Sequence, residues 1–535
     1  MNHRFIEHRL FKRVIPVLLG MLLAVWLMPG AAGGAYHGLT SLTVAAVARE
    51  DAHLSPLTSR DRDMHSLMAL CYEGLVALDD DGRPVPALAE RWEPPTDNNR
   101  RWIFHLRTDI TFHNGQPLTS ADVVATLNHI FELGQYDEKR VSNLPREERG
   151  VHANLMEAYI SAWRAIDDYT VQISGSRAYY GLLSAMTFPI LPAEEVASAL
   201  PPGTGPYRIA EYDSGDKLWL TAWSGYRKPV ANVSNIVALI YPNIDKALEA
   251  FDAGAVDVAA TRSMAATRYT GSLRSFSMAY STRQLELLLI HHRERKGILR
   301  DDNVRRAIIA AIDRTELVRQ VYQGMATVAD TPIHPGSWLY DGSATQEPYN
   351  VTRAMELLEE AGWQLNDDGV RERFVDGTPT LLSITLLTYE EPTGGVRQSA
   401  ANRIVDMLRT VGIQCTVSVL SYGRVRERLA AGNFDLVLCG MNMDVVPDPG
   451  FMFLGLDTNY SRYRSDTMDD LIKNMRAQTT PDGYRQAMSE VQHQFVADAP
   501  FMCLYFRNGS LLTRDTFSDV RVLRELELFR GIEAW

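Results

Sequence analysis

The residues that could carry chemistry are widely spaced in this sequence, and none stands at the spacing of a reacting set. The motifs GxSxG, HExxH, GxxxxGK[ST] and GxGxxG are absent. His291 and His292 are adjacent, but neighbours on a strand point to opposite faces, so a shared metal ion is not expected. The acidic residues are scattered, as on solvated surfaces. The sequence therefore predicts no catalytic residue, no metal and no cofactor, and it favours a binding protein over an enzyme.

The four cysteines leave two interpretations open. Cys71, Cys415, Cys439 and Cys503 lie far apart and inside apolar runs such as FMCLYF. Buried free thiols are one possibility, and a single disulfide involving Cys439 is the other. Zinc is not expected, because the sequence has no CxxC pair.

The N-terminus has the pattern of a secretory signal. A basic stretch, MNHRFIEHRLFKR, precedes the apolar run Val14–Met28 and the small residues PGAAGGA. The alternative is a membrane anchor, but the run contains Pro16 and is shorter than the roughly 20 residues that a span needs. We expect residues 1–35 to be a signal peptide, cleaved after Ala32 or Ala35. No cysteine lies near this site, so a lipid-anchored form is not expected, and the mature chain would be soluble in the periplasm or outside the cell.

Charge and length narrow the class of protein. The formal net charge is −12, and no basic stripe interrupts the acidic surplus. This argues against binding to nucleic acid or to an anionic membrane. The 535 residues predict two to four domains at roughly 100–200 residues per domain.

Hydrophobic periodicity predicts an α/β fold. Residues 41–48 have the pattern of a buried strand, 63–78 that of a helix, and RWIFHLR (101–107) that of a half-buried strand that precedes a helix capped at Thr119 or Ser120. From residue 381 onward, strands and helices alternate, which is typical of parallel βαβ packing: strands at 381–389, 413–420 and 434–441, and helices at 396–412 and 422–433.

Several segments, in order, resemble a known family. They are CYEGLVALDDDGRPVPALAERWEPPTDNNRRWIFHLRTDITFHNGQPLTSADVV, GTGPYRI, GAVDV, DDNVRRAIIAAIDR, ATVADTPIHP, YNVTRAMELLEEAGW and AAGNFDLVLCGMNMDVVPDP. Together they resemble the bacterial extracellular solute-binding proteins of family 5, the peptide/nickel type, over nearly the whole mature chain.

The resemblance implies a periplasmic binding protein-like fold (type II, cluster C) with three lobes, mixed sheets and an interlobe ligand cleft. Lobe I would comprise 36–76, 203–282 and 500–535, lobe II the insertion 77–202, and lobe III the βαβ-rich part, 283–499. The aromatic stretch at 88–122 would then build a scaffold lobe. Ligand would be enclosed by hinge motion at the strands that cross between lobes I and III.

The resemblance also implies where a ligand is held. In peptide-binding members, an aspartate in a G-x-x-x-D segment pairs with the ligand amino group, and Gly440 to Asp444 has that spacing. Met441 stands where tryptophan is usual, and one extra residue precedes Asp448, so Asp448 is the alternative. The backbone of Gly440, Met441 and Asn442 would bond an extended peptide as an added strand.

Other contacts implied by the resemblance are weaker. Arg60 aligns with a loop that lines the cleft, Tyr389 replaces a carboxylate-binding arginine with Arg397 nearby, and Tyr505 is either a ligand contact or core. Met443 and Met452 are either pocket residues or core, with core the safer interpretation.

The implied function is that of a periplasmic substrate-binding component of an ABC importer. It would capture a peptide or similar small solute as a monomer and deliver it to the permease and ATPase subunits in the inner membrane. The alternatives are a ligand-binding sensor or chaperone module that is not tied to import, and an exported hydrolase with an unrecognised dyad.

Overall fold

The computed structural model describes most of the chain after residue 40. The described residues are 41–49, 54–59, 61–96, 100–134, 158–228, 232–269, 272, 275–293, 297–375, 377–391, 395–455, 458–517 and 520–535. The predicted signal peptide and Arg60 lie outside them. No helix in these ranges combines the length and the apolar character that a membrane crossing needs.

Twenty strands are found in the described ranges. They are β1 (Ser41–Val47), β2 (Val76–Leu78), β3 (Pro84–Pro86), β4 (Ala89–Glu93), β5 (Arg101–Leu106), β6 (Ile160–Asp167), β7 (Thr170–Gly175), β8 (Tyr207–Asp213), β9 (Lys217–Ala222), β10 (Asn235–Tyr241), β11 (Val258–Thr261), β12 (Phe276–Ile290), β13 (Ala326–Val328), β14 (Gln364–Leu365), β15 (Arg371–Val375), β16 (Thr378–Leu381), β17 (Ser383–Tyr389), β18 (Gln414–Leu420), β19 (Leu436–Asn442) and β20 (Phe501–Thr513).

The α-helices of the same ranges lie mostly in the second half of the chain. They are α1 (Arg62–Met68), α2 (Ser120–Gly134), α3 (Leu182–Ala185), α4 (Ile244–Ala253), α5 (Asp302–Ala311), α6 (Arg314–Gln320), α7 (Val351–Glu360), α8 (Val396–Thr410), α9 (Tyr422–Ala431), α10 (Phe451–Leu454), α11 (Asp466–Met475) and α12 (Pro481–Asp498).

One mixed sheet connects the two ends of the chain. Its order is β18-β17-β19-β12-β20-β11-β1-β10-β9-β8, with β13 also paired to β20. β12 and β20 are the longest strands and run antiparallel through the middle of this sheet. β12 bulges between Ser281 and Leu285, where the pairing with β20 shifts register. These two crossing strands therefore join the strands of the predicted lobe I to those of the predicted lobe III.

The predicted alternation after residue 381 is confirmed. β17 pairs in parallel with both β18 and β19, and α8 and α9 lie between these strands in sequence. β19 then pairs antiparallel with β12, which makes the sheet mixed. Apolar side chains on one face of these strands pack against α5, α7 and α8 and form the largest cluster of buried residues in this part of the chain.

The described strands of the predicted lobe II form separate small sheets, β2-β3 and β4-β5-β7-β6. The strand predicted from RWIFHLR is confirmed as β5, with Trp102, Phe104 and Leu106 buried. The Trp–Phe-rich stretch therefore serves packing. The exact lobe boundaries stay a prediction.

The helix predicted over 63–78 was wrong beyond Met68. After α1 the chain forms turns, in one of which the N–H of Cys71 donates to Met68 O. Val76 then pairs with Pro86 in the β2-β3 sheet. The backbone of residues 70–71 is instead held by the GTGPY segment: a Cβ on Gly203 or Gly205 would lie within 2.4 Å of the carbonyl oxygens of Cys71 or Leu70. These glycines permit the close backbone contact where the insertion begins and ends.

The four cysteines are free and buried, so of the two interpretations left open the free thiols are confirmed.

Candidate functional site

The outer edge of β19 is open beyond its first two residues. β19 pairs with β12 along its whole length, but with β17 only at Leu436 and Val437. Further along, the Thr388 hydroxyl donates to Leu438 O (3.1 Å) and the N–H of Gly440 donates to the Tyr389 hydroxyl (3.3 Å). The backbone groups of Asn442 point the same way as those of Gly440, because alternate residues of a strand share a direction. No described residue is hydrogen-bonded to them there.

A buried network of charged residues lies beside this edge. Glu286, on β12 opposite Gly440, is completely buried and accepts two hydrogen bonds from Arg397, at 3.0 Å and 2.6 Å. Arg397 is also ion-paired with Glu391 (3.1 Å), and Arg507 of β20 lies 3.4 Å from Glu391 and 4.0 Å from Glu286. We call these four residues the charge network. Its two carboxylates and two guanidiniums are balanced, as buried charges must be.

Gly440 allows the charge network to approach the backbone of β19. A Cβ at this position would lie 2.8 Å from Gln284 Nε2, 3.0 Å from Glu286 Oε1 and 3.2 Å from Arg397 Nη2. A side chain at this position would force these three neighbours to shift.

Tyr389 links the charge network to the open edge. Arg397 stacks on its ring at 4.3 Å, and its hydroxyl accepts the Gly440 N–H. Burial raises the pKa of Tyr389 to about 12, although Arg397 acts in the opposite direction. The hydroxyl is therefore a neutral hydrogen-bonding group at physiological pH. The exposed ring of Tyr422, at the start of α9, packs edge-on against Tyr389 with centroids 5.2 Å apart.

Asp444 follows β19 and faces water without an ion pair. Its side chain is exposed, and one carboxylate oxygen accepts the N–H of Val445 at 2.6 Å. Desolvation by the surrounding protein nevertheless raises the pKa of the Asp444 carboxyl above its usual value, while Arg283 acts against this increase. No cation of the described residues lies within 4.0 Å of it. A carboxylate that water reaches, but that protein atoms crowd, is typical of a cleft wall.

The carboxylate of Asp448 is already ion-paired with an arginine of the protein. It is buried, its carboxylate forms a two-point ion pair with Arg476 at 2.7 Å and 3.0 Å, and it accepts the N–H of Gly450 at 2.8 Å. Of the two aspartates considered from the sequence, Asp444 is the one that remains available for a ligand.

Comparison with known protein families identifies the class to which this chain belongs. The profile of the bacterial extracellular solute-binding proteins, family 5 (middle region), matches residues 83–462. This chain belongs to that family.

Individual relatives and solved structures resemble this chain over most of its length and most of their own. The oligopeptide-binding protein AppA of Bacillus subtilis (strain 168) is 23% identical over 513 residues, which cover 91% of this chain and 90% of that protein. The solved structure of AppA in complex with a nonapeptide has a TM-score of 0.61 at 20% identity and covers 94% of this chain and 99% of that one. A nickel ABC transporter structure from Bacillus halodurans has a TM-score of 0.75 at 20% identity, and the match covers 91% of this chain and 98% of that one. At these identities the likeness establishes the fold.

The sequence-predicted site residues converge only in part. Gly440, Met441, Asn442, Asp444 and Tyr389 lie together at the end of β19. Tyr505 does not face open space: it is completely buried and packs against Tyr322 with ring centroids 4.6 Å apart, which is the core alternative. Met452 is also core, whereas Met443 is half-buried.

The sequence reasoning missed the charge network. Glu286 is the one acidic residue in the apolar run QLELLLI of β12. A carboxylate in such a run is buried and must have a cation near it, so the run itself was the signal. The resemblance placed its partner Arg397 near the ligand, but in the structure the Arg397 guanidinium is bound by Glu286 and Glu391.

The two adjacent histidines of the sequence are held by separate contacts. His291 packs against Phe434 at 4.7 Å and the ring of His292 bonds the carbonyl of Pro500 (2.8 Å), so the pair does not share a ligand. The described residues contain no group of three or more His, Cys, Asp or Glu side chains arranged for a metal.

A Ser343–His493–Asp341 cluster on the surface does not have the geometry of a catalytic triad. Ser343 Oγ and Asp341 Oδ2 both lie 3.2 Å from the same His493 nitrogen, Nε2. In a catalytic triad the serine and the carboxylate contact opposite ring nitrogens.

Proposed function

We propose that this solute-binding protein captures a peptide or a similar small solute and delivers it to an ABC importer. It would act in the periplasm as a monomer, without catalysis, and its partners would be the permease and ATPase subunits of the inner membrane. The observation that carries the proposal is the open edge of β19 next to the unpaired carboxylate of Asp444.

The two features suit the two kinds of group that an extended peptide presents. The N–H and C=O of Asn442 offer a donor and an acceptor to a peptide backbone that adds as a strand. Asp444, two residues further along the chain, offers a partly desolvated carboxylate to the peptide α-ammonium, in a charge-assisted hydrogen bond. The named relative AppA, which binds oligopeptides, supports the same substrate class.

The charge network bears on the other end of the ligand. Arg397 is held by Glu286 and Glu391, so it is not free to bind a ligand carboxylate. We therefore infer that the C-terminal carboxylate of a dipeptide has no dedicated partner here, and that longer peptides are preferred. A sensor or chaperone module would use the same cleft, and gene neighbourhood would separate it from an importer component.

Thermal unfolding with defined peptide pools tests the proposal, because a ligand that binds only the folded state raises Tm. Pools of unprotected dipeptides, tetrapeptides and hexapeptides would be compared with the same pools acetylated at the N-terminus. We expect the unprotected longer pools to raise Tm and acetylation to abolish most of the increase.

The matched variants are Asp444→Asn, which removes the charge, and Asp470→Asn, an exposed helix aspartate paired only with Lys473. Asp444→Asn should remove the stabilisation by peptides and Asp470→Asn should not. Equal stabilisation by acetylated and free peptides would contradict the role of Asp444, and no stabilisation by any pool would contradict the peptide class.

A further inference from the structure

The segment 443–450, which carries Asp444, is held at three points that lie on different parts of the protein. The N–H of Met443 donates to Arg283 O of β12 at 2.8 Å, and the hydroxyl of Tyr484 in α12 donates to Pro447 O at 2.8 Å. Asp448 is held by Arg476 at the end of α11. Asp444 lies between the first two points, so the bond from Tyr484 restrains the backbone only three residues beyond the ligand carboxylate.

Tyr484 also packs against two tyrosines of the predicted insertion 77–202. Its ring packs against Tyr179 at 6.2 Å, Tyr180 at 6.0 Å and Trp338 at 6.3 Å, and Tyr180 packs against Trp338 at 5.8 Å. The N–H of Tyr180 donates to Gln478 O at 2.6 Å. We call Tyr179, Tyr180, Trp338 and Tyr484 the aromatic contact. All four side chains are buried.

The aromatic contact joins two segments whose described strands do not pair with one another. Tyr179 and Tyr180 belong to the insertion 77–202, whose described strands form their own sheets, whereas Trp338 and Tyr484 belong to 283–499. The large sheet connects the latter segment to the rest of the chain through the crossing strands β12 and β20. A hinge motion about those strands would therefore separate the two halves of the aromatic contact.

The backbone of Gly181 is shaped for this contact. A Cβ on Gly181 would lie 2.5 Å from the Tyr179 ring and 2.9 Å from the Tyr484 hydroxyl. The hydroxyl that bonds Pro447 thus also lies against the insertion. Separation of the two halves would expose this hydroxyl to water and remove the packing that orients it.

We propose that Tyr484 is a positioning residue that couples closure of the two segments to the placement of Asp444. The inference rests on the proposed function, because it assigns Tyr484 a role at the same ligand site. When the aromatic contact is made, the hydroxyl of Tyr484 holds Pro447, and Asp444 is set for the ligand amino group. When the contact is broken, this restraint weakens and the site is released.

Affinity measurements on four variants test the coupling, with an equimolar pool of unprotected synthetic tetrapeptides as the probe. Tyr484→Phe keeps the ring and removes only the hydrogen bond. Tyr72→Phe is the matched control, because its buried hydroxyl also donates to a proline carbonyl, Pro201 O, at 2.7 Å. We expect the apparent Kd to rise roughly three- to tenfold for Tyr484→Phe, as for one lost hydrogen bond, and to stay unchanged for Tyr72→Phe.

The double variant Tyr484→Phe/Asp444→Asn separates a positioning role from a general loss of structure. If Tyr484 acts through Asp444, the double variant binds no more weakly than Asp444→Asn alone. Additive losses, or equal losses in Tyr484→Phe and Tyr72→Phe, would overturn the inference and leave the proposed function intact.

A distance measurement tests closure without any ligand. Spin labels on Ala165→Cys and Lys473→Cys, both exposed positions, report the separation of the two segments, since the native cysteines are buried. We expect Tyr180→Ala and Tyr484→Leu to add a longer-distance population. Unchanged distances in both variants would overturn the role of the aromatic contact in closure. This outcome is separate from a failure of the proposed function, which would appear as a wild-type protein that binds no peptide.

Discussion

Removing the arginine of the central ion pair in the charge network should destabilise the protein more than neutralising the glutamate. Arg397→Met removes the only two-point partner of Glu286, which is completely buried, and leaves Arg507 as its nearest guanidinium at 4.0 Å. Removing one partner of a buried ion pair costs about 3–5 kcal/mol, because the other charge stays buried and uncompensated. Glu286→Gln is milder, since Arg397 keeps Glu391 at 3.1 Å, and we expect a loss of about 1–3 kcal/mol.

The double variant Glu286→Gln/Arg397→Met decides whether the larger loss has this cause. If the uncompensated carboxylate dominates, the double variant is more stable than Arg397→Met alone. A loss from ring stacking on Tyr389 would instead persist in the double variant. The exposed i,i+3 pair of Arg424 and Glu427 supplies the control, and Arg424→Met should change stability by less than about 1 kcal/mol.

Urea unfolding followed by circular dichroism measures these differences. A chain of several lobes need not unfold in one step, so the first transition is compared among variants at the same slope. An Arg397→Met variant no less stable than Arg424→Met would refute the reasoning, because it would mean that Glu286 is neutral or hydrated in the folded protein.

Three further predictions concern the site and the cysteines. Affinity for a peptide amino group should be full above the pKa of Asp444 and should fall as the pH drops through that pKa. Because desolvation raises the pKa, calorimetry at a series of pH values should find the fall above about 3.9, the value of an unperturbed aspartate. A fall at or below that value would contradict the desolvation. Gly440→Ala should lower Tm and weaken binding, because the new methyl group would lie 2.8 Å from Gln284 Nε2 and 3.0 Å from Glu286 Oε1, so that both side chains must shift. We expect a loss of about 1–3 kcal/mol in urea unfolding, and Gly423→Ala, at an open position, is the control. The thiols should be unreactive in the native protein, since burial raises the pKa of Cys415 and of Cys439 to about 12, and a colorimetric thiol reagent should react with four groups only in denaturant.

The local pattern of the sequence was sufficient for the strands at 41–48 and 101–107 and for the parallel βα order after residue 381, because side-chain alternation and helical spacing are short-range signals. It failed at 63–78, where the apolar spacing continued past the helix. There the chain is turned by contacts with Gly203 and Gly205, which lie more than a hundred residues away in sequence. Such contacts leave no trace in the local periodicity.

The site shows the same division between local and distant causes. The spacing from Gly440 to Asp444 indicated a carboxylate at the end of a strand, but its availability depends on the partners of its neighbours. Asp448 is excluded by Arg476, which lies 28 residues away, and Arg397 is excluded by Glu286, which lies 111 residues away. Ion-pair partners of this kind are set by the fold, so the sequence could name the candidates but could not rank them.

The arrangement of charge around β19 has a consequence for how ligands are selected. On the β12 side, the guanidiniums and carboxylates neutralise one another, so the charge network presents little net field to a ligand. At the end of the strand, Asp444 has no such partner and its ionised form is disfavoured by desolvation. An arriving ammonium would relieve that cost, whereas a carboxylate would increase it. Under the proposed function, the strand edge would hold peptides of many sequences through their backbones, and discrimination would rest on one charge at one end.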